Sequence, residues 1–311
     1  MTTKAPLIIV NPASAAGSTG RIWPSLVVRV RNCLGPFDCT LTTKMGDATR
    51  IAYEAAKAGY RFIIACGGDG TASEVVSGIV SSGVTGVEFG LLHRGTGGDF
   101  RKTINLPTRI EDAAHAIARG KTRSIDVGQV TYINNRGLEE SRYFVNVSSF
   151  GMASEVAKRA NESSKHFGGT VAFAKAALTA TFSYEFPEVW LQVDDQPERR
   201  CKISNVSIAN GRYFGGGMQI APKAELDDHL FDVIAAMPMS KIRTIVTLPK
   251  LYDGTHLGLP EVQTTQAKVI KARSVDPKIK VGIEVDGEVP GWLPATFRIH
   301  PSALLIRCPE T

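Results

Sequence analysis

Residues 61–80, RFIIACGGDGTASEVVSGIV, decide the fold of this chain. RFIIAC is typical of a buried strand, and TASEVVSGIV has helical spacing. Three of the four residues 67–70 are glycines, with Asp69 between them. Because glycine costs backbone entropy on folding, such a cluster indicates that the backbone must come close to something. A strand that passes through glycines into a helix N-terminus exposes amides to phosphate. The alternative is a plain turn that Asp69 caps.

The sequence around this stretch alternates strands and helices. APLIIVNP (5–12), FDCTLTT (37–43) and VEFGLLH (87–93) are strand-like, and amphipathic stretches separate them. In the first of these stretches Pro24 predicts a helix start near Trp23. This alternation predicts βαβ units with a parallel sheet.

From about Ser124 the pattern changes to short β-rich segments separated by turn residues, with helices predicted at 169–182 and 239–252. An antiparallel sheet or sandwich is expected there. We therefore predict an α/β fold, with a parallel-sheet domain over 1–124 and a β-rich domain over 125–311. The last strand, at about 295–308, is compatible with either domain.

The composition excludes several classes of protein. The chain has 311 residues, 43% apolar and 21% charged, which is typical of a globular protein. Its five cysteines form no C-x-x-C pair, which argues against a zinc site and fits a reducing cytosol. No apolar run approaches the ~18 residues that a membrane span needs, so we expect a cytoplasmic protein with at most peripheral membrane contact.

The net charge of +6 favours an anionic partner, although an inert basic surface explains it equally well. Nucleic acid is not expected as a partner, because the basic residues form no stripe with interleaved aromatic residues.

Two further turns resemble the first. HRGTGGDF (93–100) lies at the end of the predicted strand VEFGLLH, and NPASAAGSTG (11–20) follows the first predicted strand of the chain. The carboxyl ends of parallel strands meet at one edge of a sheet, where ligands of α/β proteins bind. The sequence therefore predicts one phosphate site built from three turns. The P-loop, dinucleotide-binding, protein kinase and hydrolase motifs are absent.

Six motifs in order carry a more specific resemblance: NPAS (11–14), LTTKMGDA (41–48), GGDGTASEVVSGI (67–79), RGTGGDF (94–100), APKAELDDHLFDV (221–233) and VDGE (285–288). Together they resemble the diacylglycerol kinase catalytic family, which includes bacterial lipid kinases and sphingosine and ceramide kinases. The resemblance covers nearly the whole chain. GGDGT alone is also similar to turns of NAD kinases and phosphofructokinases, and LDD and DGE separate the lipid kinases from those.

The resemblance implies a nucleotide-binding domain over 1–124 and an acceptor-binding domain over 125–311. It places the active site, with ATP and Mg²⁺, in a cleft between them. It assigns Glu288 as proton acceptor with Asp286 as its partner, and Asp69 joins them as a third predicted catalytic carboxylate. Mg²⁺ is expected at Asp228 and at backbone carbonyls near Glu225 and Leu230. The predicted ATP contacts are Asn11, Pro12, Ala13, Ser14, Thr42, Gly67, Gly68, Asp69, Gly70, Thr71, Ala72, Ser73 and Thr96.

Two residues depart from the family pattern. Gly98 stands where P-x-G-T-x-N-D-F has asparagine, and His229 stands where LDDG has glycine. The first change removes an amide side chain, and the second puts a side chain where unusual φ and ψ angles are needed. Taken alone, LDDHLFDV also fits a turn into a strand, and VDGE fits a type I′ hairpin.

The sequence thus predicts a kinase of lipid metabolism and phospholipid biosynthesis that phosphorylates a hydroxyl of diacylglycerol or a sphingoid-like lipid. One alternative is an NAD kinase-type enzyme with a soluble acceptor. The other is a non-catalytic nucleotide- or lipid-binding regulator, which the two departures favour. An unpaired edge strand in the β-rich domain is compatible with a homodimer. The apolar stretch 167–186 fits core packing, with a lipid cleft or bilayer contact as alternatives.

Overall fold

The computed structural model describes residues 4–163 and 169–309, so the first two residues of the apolar stretch 167–186 lie outside the described residues. The chain divides into two compact units. Unit 1 comprises Met1–Asp126 and Pro301–Thr311, and unit 2 comprises Val127–His300. Among the described residues, no helix combines the length and the apolar character that crossing a membrane requires.

Unit 1 is built on parallel strands. Its elements in chain order are β1 (Leu7–Val10), α1 (Ser18–Leu34), β2 (Asp38–Leu41), α2 (Asp47–Lys57), β3 (Phe62–Gly67), α3 (Asp69–Ser81), β4 (Glu88–His93), α4 (Asp99–Thr103) and α5 (Ile110–Arg119).

The sheet of unit 1 has the order β4-β3-β1-β2, and every neighbouring pair is parallel. The register pairs Val10 with Cys66 and Gly67 with His93, so β1, β3 and β4 end at the same edge. The last residues of the chain add a further parallel strand, with Leu305 opposite Glu88. This arrangement brings the three predicted turns to one edge of the sheet.

Helix α1 begins earlier than the sequence predicts. It starts at Ser18 and carries Pro24 inside it, whereas Pro24 predicted a start near Trp23. The earlier start follows from local contacts, because Gly17 takes φ +77° and the Ser14 hydroxyl lies 2.7 Å from that of Thr19. The helix continues through Pro24 although proline has no amide hydrogen, so one backbone hydrogen bond is missing there.

Unit 2 is rich in antiparallel strands. Its elements are β5 (Lys121–Asn134, which begins in unit 1), β6 (Glu139–Phe144), β7 (Val147–Gly151), α6 (Met152–Ser163), α7 (Gly169–Ser183), β8 (Glu188–Val193), β9 (Arg199–Lys202), β10 (Asn205–Ala209), β11 (Phe231–Ala236), α8 (Lys241–Thr247), α9 (Lys250–Asp253), β12 (Val262–Ala267), β13 (Val269–Ser274), β14 (Gly282–Val285) and β15 (Glu288–Cys308, which ends in unit 1).

Strands β12-β11-β10-β7-β14-β15 are consecutive neighbours, and β13 pairs with β15 and β8. One buried apolar core includes side chains of β7, β8, β11 and β13, and in it Phe144 stacks on Phe231 and Phe150 on Phe297. The predicted fold class, a parallel-sheet α/β domain followed by a β-rich domain, is confirmed.

The helix predicted over 239–252 is divided in two. Helix α8 ends at Thr247 and α9 begins at Lys250, with Pro249 between them. Proline has no amide hydrogen and disfavours a helical conformation of the residue before it, so the continuous apolar spacing does not produce one continuous helix.

Candidate active site

Three turns lie at the edge of unit 1 where its central strands end. We call residues 11–17 turn 1, residues 67–70 turn 2 and residues 94–98 turn 3. Turn 1 follows β1, turn 2 follows β3 and turn 3 follows β4. Because these strands are adjacent and parallel, the turns are neighbours in space as well as in motif order.

Asp69 links turn 2 to turn 3. Its Oδ2 accepts a hydrogen bond from the Gly98 amide at 2.8 Å and a longer one from the Asp99 amide at 3.4 Å, and its Oδ1 accepts one from the Phe100 amide at 3.3 Å. Asp69 therefore caps α4 and not its own helix, although the local-cap alternative placed it on α3. These contacts give Asp69 a positioning role, and its catalytic role stays a prediction.

The glycines of turns 2 and 3 permit close backbone packing. A Cβ at Gly67 would lie 2.4 Å from the Thr71 hydroxyl, and a Cβ at Gly95 would lie 2.8 Å from the Cα of Gly68. Real Cβ atoms do not approach other atoms this closely. The backbone of turn 2 thus comes close to its own helix and to turn 3, and this packing requires glycine at positions 67 and 95.

Turn 1 is joined to the first turn of α3 through two predicted ATP contacts, Asn11 and Thr71. The Asn11 side-chain amide donates to the Thr71 hydroxyl at 3.0 Å, and its oxygen accepts from the Ala13 amide at 3.0 Å. The next residues take left-handed conformations, with φ +50° at Ala15 and +53° at Ala16. The neighbouring amides of the turn already donate to protein oxygens, so the amides of Ala15 and Ala16 are the ones that could face an anion.

The remaining predicted ATP contacts differ in accessibility. Thr96 and Ala13 are exposed, whereas Pro12, Ser14, Gly68, Gly70 and Ser73 are half-buried. Ala72 is fully buried and its amide donates to the Gly68 carbonyl at 3.1 Å, so it packs behind turn 2. Thr42 is also buried, and its amide donates to the Val10 carbonyl at 2.9 Å.

Asp47, which the sequence predicts as the cap of the helix that begins there, organises the segment after Thr42. The hydroxyl of Thr43 donates to Asp47 Oδ2 at 2.6 Å and its amide donates to the same oxygen at 2.8 Å. These bonds lower the pKa of Asp47 to about 2. The motif GDA at 46–48 was the available signal, because an aspartate at a helix start caps backbone amides.

Next to turn 3, the His93 side chain lies beside Gly98, the first of the two departures. Gly98 takes φ +72°, and a Cβ on it would lie 3.1 Å from Nε2 of His93. That nitrogen lies 3.2 Å from the Gly95 carbonyl, and burial lowers the pKa of His93. The imidazole therefore occupies the space that a side chain at position 98 needs. Arg94, also missed as an anchor, donates to the Ser18 hydroxyl at 3.1 Å and ties turn 3 to α1.

In unit 2, VDGE forms a two-residue hairpin. Val285 pairs with Glu288, and the residues between them take φ +45° at Asp286 and +91° at Gly287. These positive angles are typical of a type I′ turn. The Asp286 carboxylate accepts hydrogen bonds from three successive amides at 3.1–3.2 Å, those of Val145, Asn146 and Val147. It thereby fixes the chain before β7, and its role as partner of the proton acceptor stays a prediction.

Glu288 pairs with a guanidinium. Arg142 donates to Glu288 Oε2 at 3.0 Å and to Glu140 Oε1 at 3.2 Å. The Glu288 side chain is 34% exposed, so it is open to solvent. Beneath the hairpin, buried Glu284 accepts from the Gly287 amide at 2.5 Å and the Ser149 hydroxyl at 2.8 Å. Sequence reasoning missed Arg142 and Glu284, although the alternation of EVDGE placed Glu284 near the site.

The predicted metal loop brings carboxylates together. Asp228 accepts from the Leu230 amide at 3.1 Å and from the Gln266 amide group at 3.3 Å. Burial, and after it the charge of Asp228, raises the pKa of Asp232, and Glu225 adds to this effect. His229 takes φ +65°, so it adopts the conformation that a glycine favours.

Excess negative charge and oxygen donors suit a hard cation such as Mg²⁺. Within 4–163 and 169–309, however, no group of three or more His, Cys, Asp or Glu side chains is placed to hold a metal ion. A cation at Asp228 would therefore need backbone carbonyls or substrate oxygens as its other ligands.

An apolar pocket of about 910 Å³, including its open mouth, lies within unit 2. Its polar lining is limited to a few side chains, among them Ser207 of β10 and Thr244 and Thr247 of α8. The apolar lining includes Met152, Val156, Phe214, Met218, Ile234 and Leu251. The glycine-rich stretch 211–222 contributes to this wall through Phe214 and Met218. The pocket suits a hydrocarbon chain better than a polar molecule.

Comparisons with known proteins agree with these features. Residues 5–130 match the diacylglycerol kinase catalytic domain, and residues 146–308 match the YegS C-terminal NAD kinase beta sandwich-like domain. A diacylglycerol kinase of Staphylococcus carnosus is 29% identical over 293 residues, which cover 93% of this chain and 90% of that protein. A diacylglycerol kinase of Mycobacterium tuberculosis is 28% identical over 304 residues, which cover 97% and 94%.

Among solved structures, a diacylglycerol kinase from Bacillus anthracis superposes with a TM-score of 0.72 at 19% identity, and the match covers 99% of this chain and 98% of that one. At this identity the match shows a shared fold.

Proposed function

The chain belongs to the diacylglycerol kinase catalytic family, and on that premise we propose that it transfers the γ-phosphoryl group of ATP to a hydroxyl of a lipid such as diacylglycerol. Membership makes it a kinase. The lipid acceptor, the residues that act on it and the use of Mg²⁺ are the parts that we propose.

The apolar pocket of unit 2 is the observation that supports a lipid as the acceptor. Its lining is largely apolar, as in sites that enclose hydrocarbon groups. Methionines contribute to its wall, and their flexible side chains adapt to alkyl chains of different shape. A dinucleotide such as NAD would leave many polar groups without partners there, which disfavours a soluble acceptor.

Unit 1 supplies the phosphate side of the proposal. Turns 1, 2 and 3 meet at one sheet edge, and turn 1 contains successive left-handed residues before the start of α1. Backbone amides in such turns neutralise phosphate oxygens without a charged side chain. Exposed Thr96 and half-buried Ser73 are the side chains of this edge that would reach the nucleotide.

In the proposed reaction the lipid hydroxyl attacks the γ-phosphorus, its proton passes to Glu288, and ADP leaves. Phosphoryl transfer depends mainly on positioning and on neutralising charge. Arg142 holds Oε2 of Glu288, which leaves Oε1 to accept the proton. Asp286 contributes by fixing the hairpin that carries Glu288, so it acts through position.

Asp228 would hold Mg²⁺ together with backbone carbonyls near Glu225 and Leu230. When bound, the ion neutralises charge on the transferring phosphates. Asp228 is kept in place by the Leu230 amide, and His229 adopts the left-handed conformation of this loop without a glycine. The histidine is therefore compatible with the loop geometry, which weakens the case for a regulator that has lost turnover.

The proposal is tested with purified protein, Mg-ATP and a panel of acceptors: dioctanoylglycerol, a sphingoid base, glycerol and NAD. We expect labelled phosphate in a lipid and none in glycerol or NAD. Phosphorylation of NAD alone would replace this proposal with the NAD kinase alternative. ATP binding without turnover on any acceptor would favour the regulator.

A further inference from the structure

Two helices of unit 2 expose large apolar side chains to solvent. On α7, Leu178 is 45% and Phe182 is 54% exposed, and on α8, Ile242 is 77% and Val246 is 64% exposed. Each pair is spaced four residues apart and so lies on one helix face. We call these four side chains the apolar face.

The two helices that carry the apolar face pack against each other. The Lys241 ammonium donates to the Phe182 carbonyl at 2.8 Å and lies 5.7 Å from the centre of the Phe182 ring. This contact holds the start of α8 at the end of α7. The exposed side chains of both helices therefore belong to one continuous region of unit 2.

The polarity of α8 is the reverse of that of an ordinary surface helix. Thr244 and Thr247 line the apolar pocket, while Ile242 and Val246 point into solvent. A helix that meets only water on its outer side places its apolar residues inward. On α7, Ala177 lines the pocket and the larger Leu178 and Phe182 face outward. The outer side of both helices is thus suited to an apolar medium.

The charges around the apolar face identify the medium. Neither α8 nor α7 contains an acidic residue, and Lys175 and Lys241 are exposed on them. Lys250 at the start of α9 is exposed as well, although exposed Asp253 at the end of that helix balances its charge. Apolar side chains framed by lysines are typical of helices that lie in the surface of an anionic bilayer. The same lysines would repel a second copy of this face.

We propose that the apolar face docks on an anionic lipid bilayer, so that the helices lining the pocket rest on the surface that holds the acceptor. The inference rests on the proposed function in one respect, since a lipid kinase must take its acceptor from a membrane. An acyl chain would then pass from the bilayer into the pocket past α7 and α8 without crossing water.

The test is sedimentation of the full chain with vesicles containing about one-third anionic lipid, without nucleotide. Ile242→Ser/Val246→Ser should weaken vesicle binding roughly tenfold or more, because two inserted side chains lose their apolar contact. Phe182→Ser should act in the same direction. Leu138→Ser is the matched control, because Leu138 is 61% exposed in the turn between β5 and β6, outside this face, and it should bind as wild type does.

Equal vesicle binding by the double variant and wild type would overturn the proposal. So would a change of oligomeric state in solution with unchanged vesicle binding, which would make the face a contact between copies. Turnover of soluble dioctanoylglycerol separates this proposal from the proposed function. If wild type binds vesicles through the apolar face but does not phosphorylate dioctanoylglycerol, the docking proposal is supported and the proposed kinase function is rejected. If wild type phosphorylates dioctanoylglycerol but the face variants bind vesicles as well as wild type does, the kinase function is supported and the docking proposal is rejected.

Discussion

The carboxylate of Asp69 accepts a hydrogen bond from the backbone amide of Gly98 at 2.8 Å, although the two residues are 29 positions apart. This bond makes two glycine turns into one structure, because the same carboxylate also accepts from the amides of Asp99 and Phe100. A ligand held by turn 2 therefore depends on turn 3 and on the side chain that joins them.

Asp69→Ala should lower the free energy of unfolding by about 2–4 kcal/mol, because three amides lose a charged acceptor. Asp69→Asn retains one acceptor oxygen and should lose about half as much. Urea unfolding measures both, with exposed Glu54→Gln as the control, expected to change stability by less than about 0.5 kcal/mol. ATP affinity should fall in the same order. Full stability of the alanine variant would contradict the linking role.

The contact between His93 and position 98 predicts a coupled pair of substitutions. Asparagine tolerates positive φ, so the cost of Gly98→Asn should come mainly from the approach of its Cβ to His93 Nε2 at 3.1 Å and to Arg101 Nε at 3.2 Å. We expect a loss of about 1 kcal/mol in the wild-type background and a smaller loss in a His93→Ala background, where only the contact with Arg101 remains. A double-mutant cycle of unfolding free energies measures the coupling. The same cost in both backgrounds would show that the imidazole does not occupy this space.

Asp286 should be needed for the segment before β7. Asparagine also favours a type I′ turn, so Asp286→Asn isolates the loss of the carboxylate, whereas Asp286→Ala also strains a residue at φ +45°. The alanine variant should therefore be less stable than the asparagine variant, by about 1 kcal/mol. Hydrogen exchange provides a local measurement, because the amides of Val145 to Val147 should lose protection in both variants. Unchanged protection would argue against the three hydrogen bonds.

The lowered pKa of Asp47 predicts that the free energy of unfolding depends on pH. Hydrogen bonds from the Thr43 hydroxyl and amide lower its pKa from 3.8 to about 2, so the folded state favours the ionised carboxylate. Its contribution is present above pH 3.8 and is lost as the pH falls toward 2, because the unfolded state takes up the proton first.

The difference in unfolding free energy between wild type and Asp47→Asn should shrink over this range. Urea unfolding at successive pH values measures it, and Asp195→Asn, at an exposed position, is the control. A difference that stays constant from neutral to acid pH would contradict the assignment.

Much of the fold was predictable because its signals are local. The buried strands of unit 1 follow from apolar runs such as Leu7–Val10, and their parallel pairing follows from the helices between them. Because the strands are parallel, their carboxyl ends meet at one edge, and the position of the three turns at that edge is therefore predictable as well. The hairpin at Glu288 was also predictable from local sequence, because an Asp-Gly pair favours a two-residue turn and the turn involves only residues 285–288.

The parts that sequence reasoning missed depend on contacts between distant segments. Nothing near Asp69 shows that it caps α4, and nothing near Arg142 shows that it pairs with Glu288. The outward position of Ile242 was also hidden, because an apolar residue in a helical pattern is ordinarily assigned to the core. Such features follow from how the strands and helices pack, which spacing alone does not determine.

In the reaction that we propose, a lipid hydroxyl receives phosphate from ATP and Glu288 accepts its proton. The most direct measurement is single-turnover transfer of the labelled γ-phosphate to dioctanoylglycerol by wild type, Glu288→Gln and Arg142→Gln, each saturated with Mg-ATP. We predict transfer by wild type, a loss of roughly 10²–10⁴-fold in Glu288→Gln with nucleotide affinity unchanged, and a smaller loss in Arg142→Gln. Equal transfer by wild type and Glu288→Gln, or no transfer by wild type, would contradict this mechanism.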